Sequence, residues 1–397
     1  MSPKREAGRI SGGRKILFYT DARQFGGHDV ASLHLLGCML GAGYCVCSVF
    51  RASNRQWQNR LEKLKEVHAA LEMIGLETPP LKYPDLAMVF YSGYLGRLHR
   101  VFEEFAPDLV FVSQGHLASS WAGLRIAREA GIPALSYLPM AQPLNILLGA
   151  KGWLRRFFSR RVVHWPNRWL TCTEAQEKRL RGAGATQPIA RLPNPISMPA
   201  AKGRAQARAA NRIPHEATVI GMAGRLNNRQ KGCDLLVDAL VNAPEGSPLR
   251  EAWLLFIGDG EVAETMRKRL ERAGWAERLR FTGWTDAPWE HYAALDLLVM
   301  PSRFEGQPLV MQEALLCGVP VCGTAVDGLA DYLPSAWLCR PGDALALRRR
   351  LETMVVDLGR FGPQLVAARE RIERENDLDV VAMRLESALA ATVAAGA

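Results

Sequence analysis

The chain has 397 residues, of which 48% are hydrophobic and 35 are glycine, and its formal net charge is +10. This length exceeds what a single hydrophobic core usually supports, so the sequence predicts two domains of about 150–200 residues each. No apolar run approaches the ~20 residues of a bilayer-spanning helix, and residues 1–14 form a basic tail without the apolar core of a secretion signal, so we expect a cytoplasmic protein.

From residue 15 onward, apolar runs alternate with helical patterns, which is typical of parallel sheets with helical crossovers. In the first half these strand-like runs define a predicted N-terminal domain of residues 15–196. They cover residues 15–20, 45–50, 109–113, 134–138 and 169–173.

Two turns of this domain carry candidate site residues. Gly26 and Gly27 follow the first strand and precede a helical run, so the backbone there can approach a ligand closely. His116 follows the strand at 109–113, at the carboxyl end where ligands bind in open α/β sheets. A glycine pair also fits a plain strand-to-helix turn, and a lone histidine also fits a structural role.

Positive charge is concentrated in the middle of the chain. Residues 151–212 hold 14 Lys and Arg against two Glu. Within them, residues 151–165 place cations between bulky apolar residues at near-helical spacing, and that segment fits two placements. It could lie on an anionic membrane surface, making the protein peripheral on the inner face, or pack its apolar stripe on the first domain. The stripe consists of Trp153, Leu154, Phe157, Phe158 and Val162.

No nucleic-acid reader motif accompanies these cations, so we expect no nucleic-acid partner. Residues 192–204 are rich in proline and small residues and fit an interdomain connection, which we place at 197–215. A second set of strand-like runs then defines a C-terminal domain of residues 216–375. These runs cover residues 218–223, 253–257, 279–282, 297–300 and 319–323.

A glycine turn after the strand at 218–223 carries Arg225 and Lys231 into an amphipathic helix. Both cations then lie at a carboxyl end of the sheet, within reach of a bound diphosphate. Taken alone, this segment also fits a polar turn with solvated cations.

The most informative motif is the pair Glu305 and Glu313, which flank a turn and the helix after it. Pro308 fits the first helical position. The unpaired amides of Leu309 and Val310, at the positive end of the helix dipole, then offer a phosphate site. Two acids for hydroxyls and amides for phosphates indicate a nucleotide sugar, although glutamates at this spacing are also common on solvated helices.

As an ordered set, these motifs resemble those of the retaining glycosyltransferases of family 4, which have the GT-B fold. The set comprises GRL…KG…D (224–234), FIGDGE (256–261), FTGW (281–284), PS (301–302) and E-x7-E (305–313). The resemblance covers about residues 15–390. It implies an α/β protein with two Rossmann-like, doubly wound domains facing a deep interdomain cleft, and a last helix (376–397) that crosses back to the first domain.

The resemblance also implies roles for the candidate residues. Arg225 and Lys231 would bind the donor diphosphate, Glu305 the sugar hydroxyls and Glu313 the ribose. The backbone of Thr282 and Gly283 would contact the base. The remaining donor-binding residues would be Gly26, Gly27, Gly306, Gln307, Leu309 and Val310.

His116 aligns with the second histidine of a His-x-His motif that contacts the transferred sugar in this family. Here the segment reads Gln114-Gly115-His116, so the first histidine is missing.

The implied reaction moves a hexose-type sugar, with retention, from a nucleoside diphosphate sugar to a hydroxyl of a glycan or lipid-linked glycan. We expect front-face attack assisted by the departing phosphate, with Glu305 and His116 orienting the sugar. Arg225, Lys231 and the helix start at 308 would stabilise the leaving diphosphate. The sequence has no metal triad and no C-x-x-C pair, so neither metal nor cofactor is expected. A GT-B sugar-nucleotide epimerase and a non-catalytic nucleotide-sugar binder remain alternatives.

Overall fold

The computed structural model describes residues 13–23, 25–77, 92–144, 146, 159–197 and 203–395. The chain divides into two compact units. The first comprises Met1–Pro195 and Leu378–Ala397, and the second Ile196–Asp377. Each unit is built on one parallel sheet, so the predicted α/β class with two Rossmann-like domains is confirmed.

The first unit contains a seven-stranded sheet. Its strands are β1 (Lys15–Tyr19), β2 (Cys45–Arg51), β3 (Leu71–Leu76), β4 (Leu109–Ser113), β5 (Ala134–Tyr137), β6 (Arg168–Thr171) and β7 (Ile189–Arg191). Its helices include α1 (Gly27–Gly41), α2 (Arg55–Val67), α3 (Ser92–Phe105), α4 (Trp121–Glu129), α5 (Glu174–Gly182) and, from the end of the chain, α14 (Leu378–Ala394). The strand order is β3-β2-β1-β4-β5-β6-β7.

Helices cover both faces of this sheet. Alternate residues of β1 therefore lie in two different hydrophobic clusters. Ile16 and Phe18 lie in one hydrophobic cluster, and Leu17 and Tyr19 lie in another. Strands buried on both faces read as continuous apolar runs, which is why the sequence reveals them. The last helix, α14, packs on α1 and places Leu385 in the first of these clusters.

The second unit contains a six-stranded sheet. Its strands are β8 (Val219–Ala223), β9 (Trp253–Ile257), β10 (Leu279–Phe281), β11 (Leu297–Met300), β12 (Val321–Thr324) and β13 (Leu338–Cys339). Its helices are α6 (Arg204–Ala210), α7 (Cys233–Val241), α8 (Ala263–Leu270), α9 (Trp289–Tyr292), α10 (Leu309–Leu316), α11 (Asp327–Tyr332), α12 (Ala344–Val356) and α13 (Gly362–Asn376).

The strand order of the second sheet is β10-β9-β8-β11-β12-β13, which is the 3-2-1-4-5-6 order of the dinucleotide-binding fold. This order reverses between β8 and β11, and the corresponding reversal in the first sheet lies between β1 and β4. Ligands of open α/β sheets bind outside the carboxyl ends of the strands at such a point.

Three strands are not predicted from the apolar runs of the sequence, namely β3, β7 and β13. All three are edge strands of their sheets, and β7 and β13 are only three and two residues long. The stretch 197–215, which the sequence indicates as a connection, contains α6. Arg208 of this helix is buried and donates to Asp296 Oδ2 at 2.8 Å, so α6 belongs to the second unit.

Over the described residues, no helix combines the length and the apolar character needed to cross a bilayer. All eight cysteines are free thiols.

Candidate functional site

Two loops of the second unit meet where its strand order reverses. The loop after β8 holds Gly224 and Lys231, and the loop after β11 leads into α10. A Cβ atom placed on Gly224 would lie 3.8 Å from Lys231 Cε and 3.8 Å from Val310 Cγ2. The glycine turn, the lysine and the first turn of α10 therefore form one continuous surface.

Backbone geometry fixes the position of Lys231 in the loop after β8. Asn227 Oδ1 accepts hydrogen bonds from the amides of Gln230 (2.8 Å) and Lys231 (3.2 Å), which closes a side-chain-capped turn. The next residue, Gly232, has φ +66°, and any Cβ there would lie 2.1 Å from Pro301 O. Only glycine fits at this close approach of the two loops.

The two loops are joined by an ion pair. Lys231 Nζ donates to Glu305 Oε1 at 2.7 Å, and their side chains are 14% and 4% exposed. Ser302 Oγ donates to the same oxygen at 2.7 Å, while Gln230 Nε2 lies 3.3 Å from Oε2. A carboxylate held in this way has a fixed orientation, and breaking a buried ion pair by removing one partner is destabilising.

Helix α10 begins at Leu309, so the prediction that Pro308 is the first helical residue is wrong by one position. Pro308 has φ −74° and ψ 125°. The proline ring constrains φ but not ψ, so the residue can be extended rather than helical. In the described structure no side chain caps α10, so the amides of Leu309 and Val310 have no acceptor within the helix. Gly306 and Gln307 are buried in the turn that precedes it.

Glu313 lies on α10, and its Oε2 accepts a hydrogen bond from Tyr292 Oη at 2.7 Å. Burial raises the pKa of Glu313, and the hydrogen bond from Tyr292 only partly opposes this shift. Burial also holds the pKa of Tyr292 well above its usual range, and the nearby Glu313 raises it further. Tyr292 thus orients a carboxylate whose other oxygen remains available to a ligand.

Arg225 differs from Lys231 in its surroundings. Its side chain is exposed, and across the described ranges it has no hydrogen-bond or ion-pair partner. It directly follows Gly224 at the same carboxyl edge of the sheet. An exposed guanidinium can bind an anion without first breaking a protein contact.

A second arginine braces the two loops. Arg303 donates to both carboxylate oxygens of Asp234, at 2.7 and 2.8 Å, and its amide donates to Gln230 O at 2.7 Å. The hydrogen bonds that Arg303 donates to Asp234 are the main cause that raises the pKa of Arg303. Burial opposes ionisation of Asp234, yet the contacts from Arg303 prevail and lower the pKa of that carboxyl.

The loops after β9 and β10 extend the same edge. Thr282 Oγ1 accepts from the amide of Gly258 at 3.3 Å and donates to Gly283 O at 2.8 Å. Gly258 also forms an isolated antiparallel bridge with Gly283, and a Cβ on Gly258 would lie 2.2 Å from Gly224 O. Thr282 and Gly283 are therefore linked to the glycine turn through a single intervening residue.

The remaining candidates lie in the first unit, after β1 and β4. Gly26 precedes α1, and its amide donates to Asp29 Oδ2 at 2.8 Å, while the space around Gly27 is open. His116 Nδ1 accepts from the amide of Ala118 at 3.2 Å. In the neutral ring the proton is therefore on Nε2.

Most of the basic segment at 151–165 lies outside the described residues, including Trp153, Leu154, Phe157 and Phe158. Val162 is described, and it is fully buried in a core cluster of the first unit.

Comparison with known proteins assigns both halves to related families. Residues 217–357 match the family described as "Glycosyl transferases group 1", and residues 26–195 match the "Glycosyl transferase 4-like domain". Together these ranges include most of the chain. The protein belongs to the family 4 glycosyltransferases.

Curated relatives of this chain match it over part of their length. The 2-deoxystreptamine N-acetyl-D-glucosaminyltransferase of Streptomyces fradiae is 36% identical over 179 residues, which is 44% of this chain and 42% of that protein. The lipopolysaccharide core biosynthesis glycosyltransferase LpsE of Rhizobium meliloti (strain 1021) is 31% identical over 147 residues, 36% of this chain and 41% of that protein. The matched region thus spans less than half the length of these relatives.

Solved structures share the fold of this chain along nearly its whole length. HepE of Anabaena, in complex with UDP and glucose, has a TM-score of 0.77 at 17% identity, covering 95% of this chain and 100% of that one. Sucrose-phosphate synthase of Thermosynechococcus elongatus has a TM-score of 0.77 at 18% identity, covering 96% and 100%. The GT-B fold inferred from the motifs is confirmed.

The sequence reveals the two glutamates and Lys231 but not the other residues that hold the two carboxylates. Ser302 and Gln230 bind the Glu305 carboxylate, Tyr292 binds Glu313, and Arg303 braces the loops. Of these only Ser302 falls within a recognised motif, the Pro-Ser dipeptide. The others depend on contacts between distant parts of the chain that no local pattern reveals.

Proposed function

We propose that the protein transfers a hexose-type sugar from a nucleoside diphosphate sugar to an acceptor hydroxyl. One observation carries the proposal: the Lys231–Glu305 pair lies beside Gly224 and the uncapped start of α10. Cations, free amides and a fixed carboxylate are what a diphosphate joined to a polyhydroxyl group requires. Relatives in two bacterial genera are named as glycosyltransferases, which supports transfer over epimerisation or binding alone.

In the proposed mechanism, the protein acts mainly on the leaving group. Arg225, Lys231 and the amides of Leu309 and Val310 meet the negative charge that grows on the diphosphate as the bond to the sugar breaks. Glu313 accepts hydrogen bonds from the ribose hydroxyls, and the backbone at 282–283 contacts the base.

Glu305 and His116 are proposed to orient the transferred sugar. The Glu305 carboxylate cannot rotate freely, because Lys231 and Ser302 both hold Oε1. Its Oε2 accepts the longer contact from Gln230 Nε2, at 3.3 Å, and we assign this oxygen to the sugar hydroxyls. His116 would donate from Nε2.

We further propose front-face attack with retention of anomeric configuration, in which the departing phosphate accepts the proton of the acceptor hydroxyl. The cations and amides named above can neutralise the diphosphate, so the proposal includes turnover without added metal or cofactor. Proton NMR of the purified product reports the anomeric configuration of the new glycosidic bond. Turnover that persists in excess EDTA supports metal independence, and its loss with recovery on adding Mg²⁺ contradicts it.

The acceptor is proposed to be a glycan or a lipid-linked glycan. For residues 151–165, the two placements predict different behaviour on vesicles that contain an anionic lipid. Burial of Val162 in a core cluster supports packing of residues 159–165, the described end of this segment, on the first unit. Salt-sensitive sedimentation with anionic but not neutral vesicles would instead support a peripheral membrane position.

The direct test begins with a thermal-shift screen of UDP, GDP, ADP and their sugars, because a ligand that binds only the folded state raises the melting temperature. The best donor is then incubated with candidate acceptors, and the products are identified by mass and NMR. Transfer to an acceptor supports the proposal. Epimerised donor without transfer, or binding without any product, would replace it with one of the alternatives.

A further inference from the structure

The turn at the start of α11 contacts the loop that contains Glu305, and one residue of this turn has an unusual backbone conformation. Asp327, the first residue of α11, has φ +40°, which lies in the left-handed region that side chains with a Cβ disfavour. Aspartate tolerates that region better than most residues, but glycine would occupy it without strain. The chain therefore retains a side chain at a position where the backbone favours none.

The Asp327 side chain has a specific partner in this loop. Its Oδ2 accepts a hydrogen bond from the amide of Glu305 at 2.8 Å, and the residue is 7% exposed. The neighbouring Gly328 donates its amide to Gly306 O at 3.0 Å, and a Cβ on Gly328 would lie 2.3 Å from that oxygen. The backbone segment Glu305–Gly306 is thus held at its two ends, the Glu305 amide and the Gly306 carbonyl, by two consecutive residues of one turn.

This grip acts on the residue whose side chain pairs with Lys231. With its backbone fixed by Asp327, Glu305 presents a carboxylate that Lys231 and Ser302 hold from the other side. Outliers of backbone geometry that persist in a folded protein are a reason to look for a functional constraint. Here the constraint is the placement of Glu305.

We propose that Asp327 is a positioning residue, which fixes the backbone of Glu305 so that its carboxylate meets the sugar of the bound donor. The inference rests on the proposed transfer function, but it concerns a residue outside the motifs that indicate that function. Asp327 does not itself touch the sugar in this account. Asp327 accepts a hydrogen bond from the Glu305 amide, and loss of this hydrogen bond lets the Glu305 loop move.

Three substitutions separate this role from a purely structural one. Asp327→Asn keeps an oxygen acceptor and tolerates the left-handed region, Asp327→Ala removes the acceptor, and Asp327→Gly removes both the acceptor and the backbone strain. Arg212→Gly is the matched control, because Arg212 is exposed, lies elsewhere in the same unit and has φ +54°. It relieves comparable strain away from the loop.

The first measurement is hydrogen–deuterium exchange of the segment 302–307 in the full-length protein. We expect faster exchange in Asp327→Ala and Asp327→Gly, and near wild-type exchange in Asp327→Asn and Arg212→Gly. This readout needs no activity, so it decides the placement of Glu305 even if wild type transfers no sugar, an outcome that would count against the proposed function alone. Should Asp327→Ala fail to fold, the strain-free Asp327→Gly gives the same comparison.

The second measurement is kinetic. With a donor that wild type uses, we expect kcat to fall about tenfold in the Ala and Gly variants, to stay within about threefold in Asn, and to be unchanged in Arg212→Gly. The Kd of the free nucleoside diphosphate should change less than about twofold throughout, because that ligand has no sugar to contact Glu305. Wild-type kcat in Asp327→Gly together with unchanged exchange at 302–307 would overturn the inference.

Discussion

Lys231 Nζ lies 2.7 Å from Glu305 Oε1, although the two residues are 74 positions apart in the sequence. One follows β8 and the other follows β11, the two strands between which the order of the second sheet reverses. The ion pair therefore joins the two loops of the proposed donor site and holds the ammonium and carboxylate groups in place before a ligand binds.

Removal of the lysine should destabilise the protein as well as inactivate it. Lys231→Met removes the lysine that pairs with the buried Glu305 carboxylate, so we expect the free energy of unfolding to fall by about 3–5 kcal/mol in urea denaturation. The double variant Lys231→Met with Glu305→Gln should recover much of this stability but no transfer. Lys268→Met, which breaks an exposed pair with Glu264, is the control and should change stability by less than about 1 kcal/mol. Equal effects of the two lysine substitutions would refute a buried pair.

Substitution of Arg225, unlike that of Lys231, should weaken ligand binding without lowering the stability of the protein. Because its guanidinium is exposed and has no partner in the described chain, Arg225→Ala should leave stability within about 0.5 kcal/mol of wild type. It should weaken binding of a nucleoside diphosphate about tenfold or more in calorimetric titration, and leave binding of the uncharged nucleoside unaltered. Arg272→Ala removes a positive charge from another exposed arginine and is the control for net charge. A diphosphate Kd that Arg225→Ala does not move would remove this residue from the site.

Glu313 gives a prediction for pH. Its folded pKa is raised by burial, so between the unfolded and the folded pKa the native state holds more protons than the unfolded chain. Stability from this residue is therefore present below the unfolded pKa and is lost as the pH rises through the folded pKa. Glu313→Gln should be more stable than wild type at neutral pH and lose that advantage in acid, as followed by urea denaturation across pH.

The same Glu313→Gln variant should bind nucleotides with a ribose more weakly, because an amide oxygen is a poorer acceptor than a carboxylate. Greater stability combined with weaker binding would show that the buried acid is kept for the ligand. If the variant were less stable at neutral pH, or its stability relative to wild type did not vary with pH, burial would not be what raises this pKa.

Gly258 tests the close packing of the glycine turns. Gly258→Ala places a Cβ 2.2 Å from Gly224 O at φ +124°, whereas Gly246→Ala has φ +79° and open space around it. Both carry the backbone cost of about 1–2 kcal/mol, and only the first must also displace the loop after β8. We expect a larger fall in melting temperature and loss of nucleotide binding for Gly258→Ala alone. Similar behaviour of the two variants would mean that the turns are not in tight contact.

Much of the fold can be predicted from the sequence because the central strands are buried on both faces. All four residues of β11 are buried, so the strand reads as an unbroken apolar run before a polar loop. The edge strand β3 is different: Glu72 and Gly75 interrupt it, and its middle residues are partly exposed. Its pairing with β2 comes from the neighbouring backbone rather than from an apolar pattern of its own.

The site divides in a similar way. Glycine turns, a proline before a helix and paired acids leave local signals, which is how Arg225, Lys231, Glu305 and Glu313 are found. The start of α10 is misplaced by one residue, because proline is compatible both with the first helical position and with the extended residue before it. The support from Asp327 and Tyr292 has no local signal, since each contact joins segments more than twenty residues apart.

The central claim is that Arg225, Lys231 and the start of α10 together hold the diphosphate of a sugar donor. The most direct measurement is kcat/KM of the double variant Arg225→Ala, Lys231→Ala with a donor that wild type uses, after circular dichroism has shown that the variant is folded. We predict a loss of about a thousandfold or more, since each cation stabilises charge that develops on the leaving group. Turnover equal to that of wild type would contradict the account.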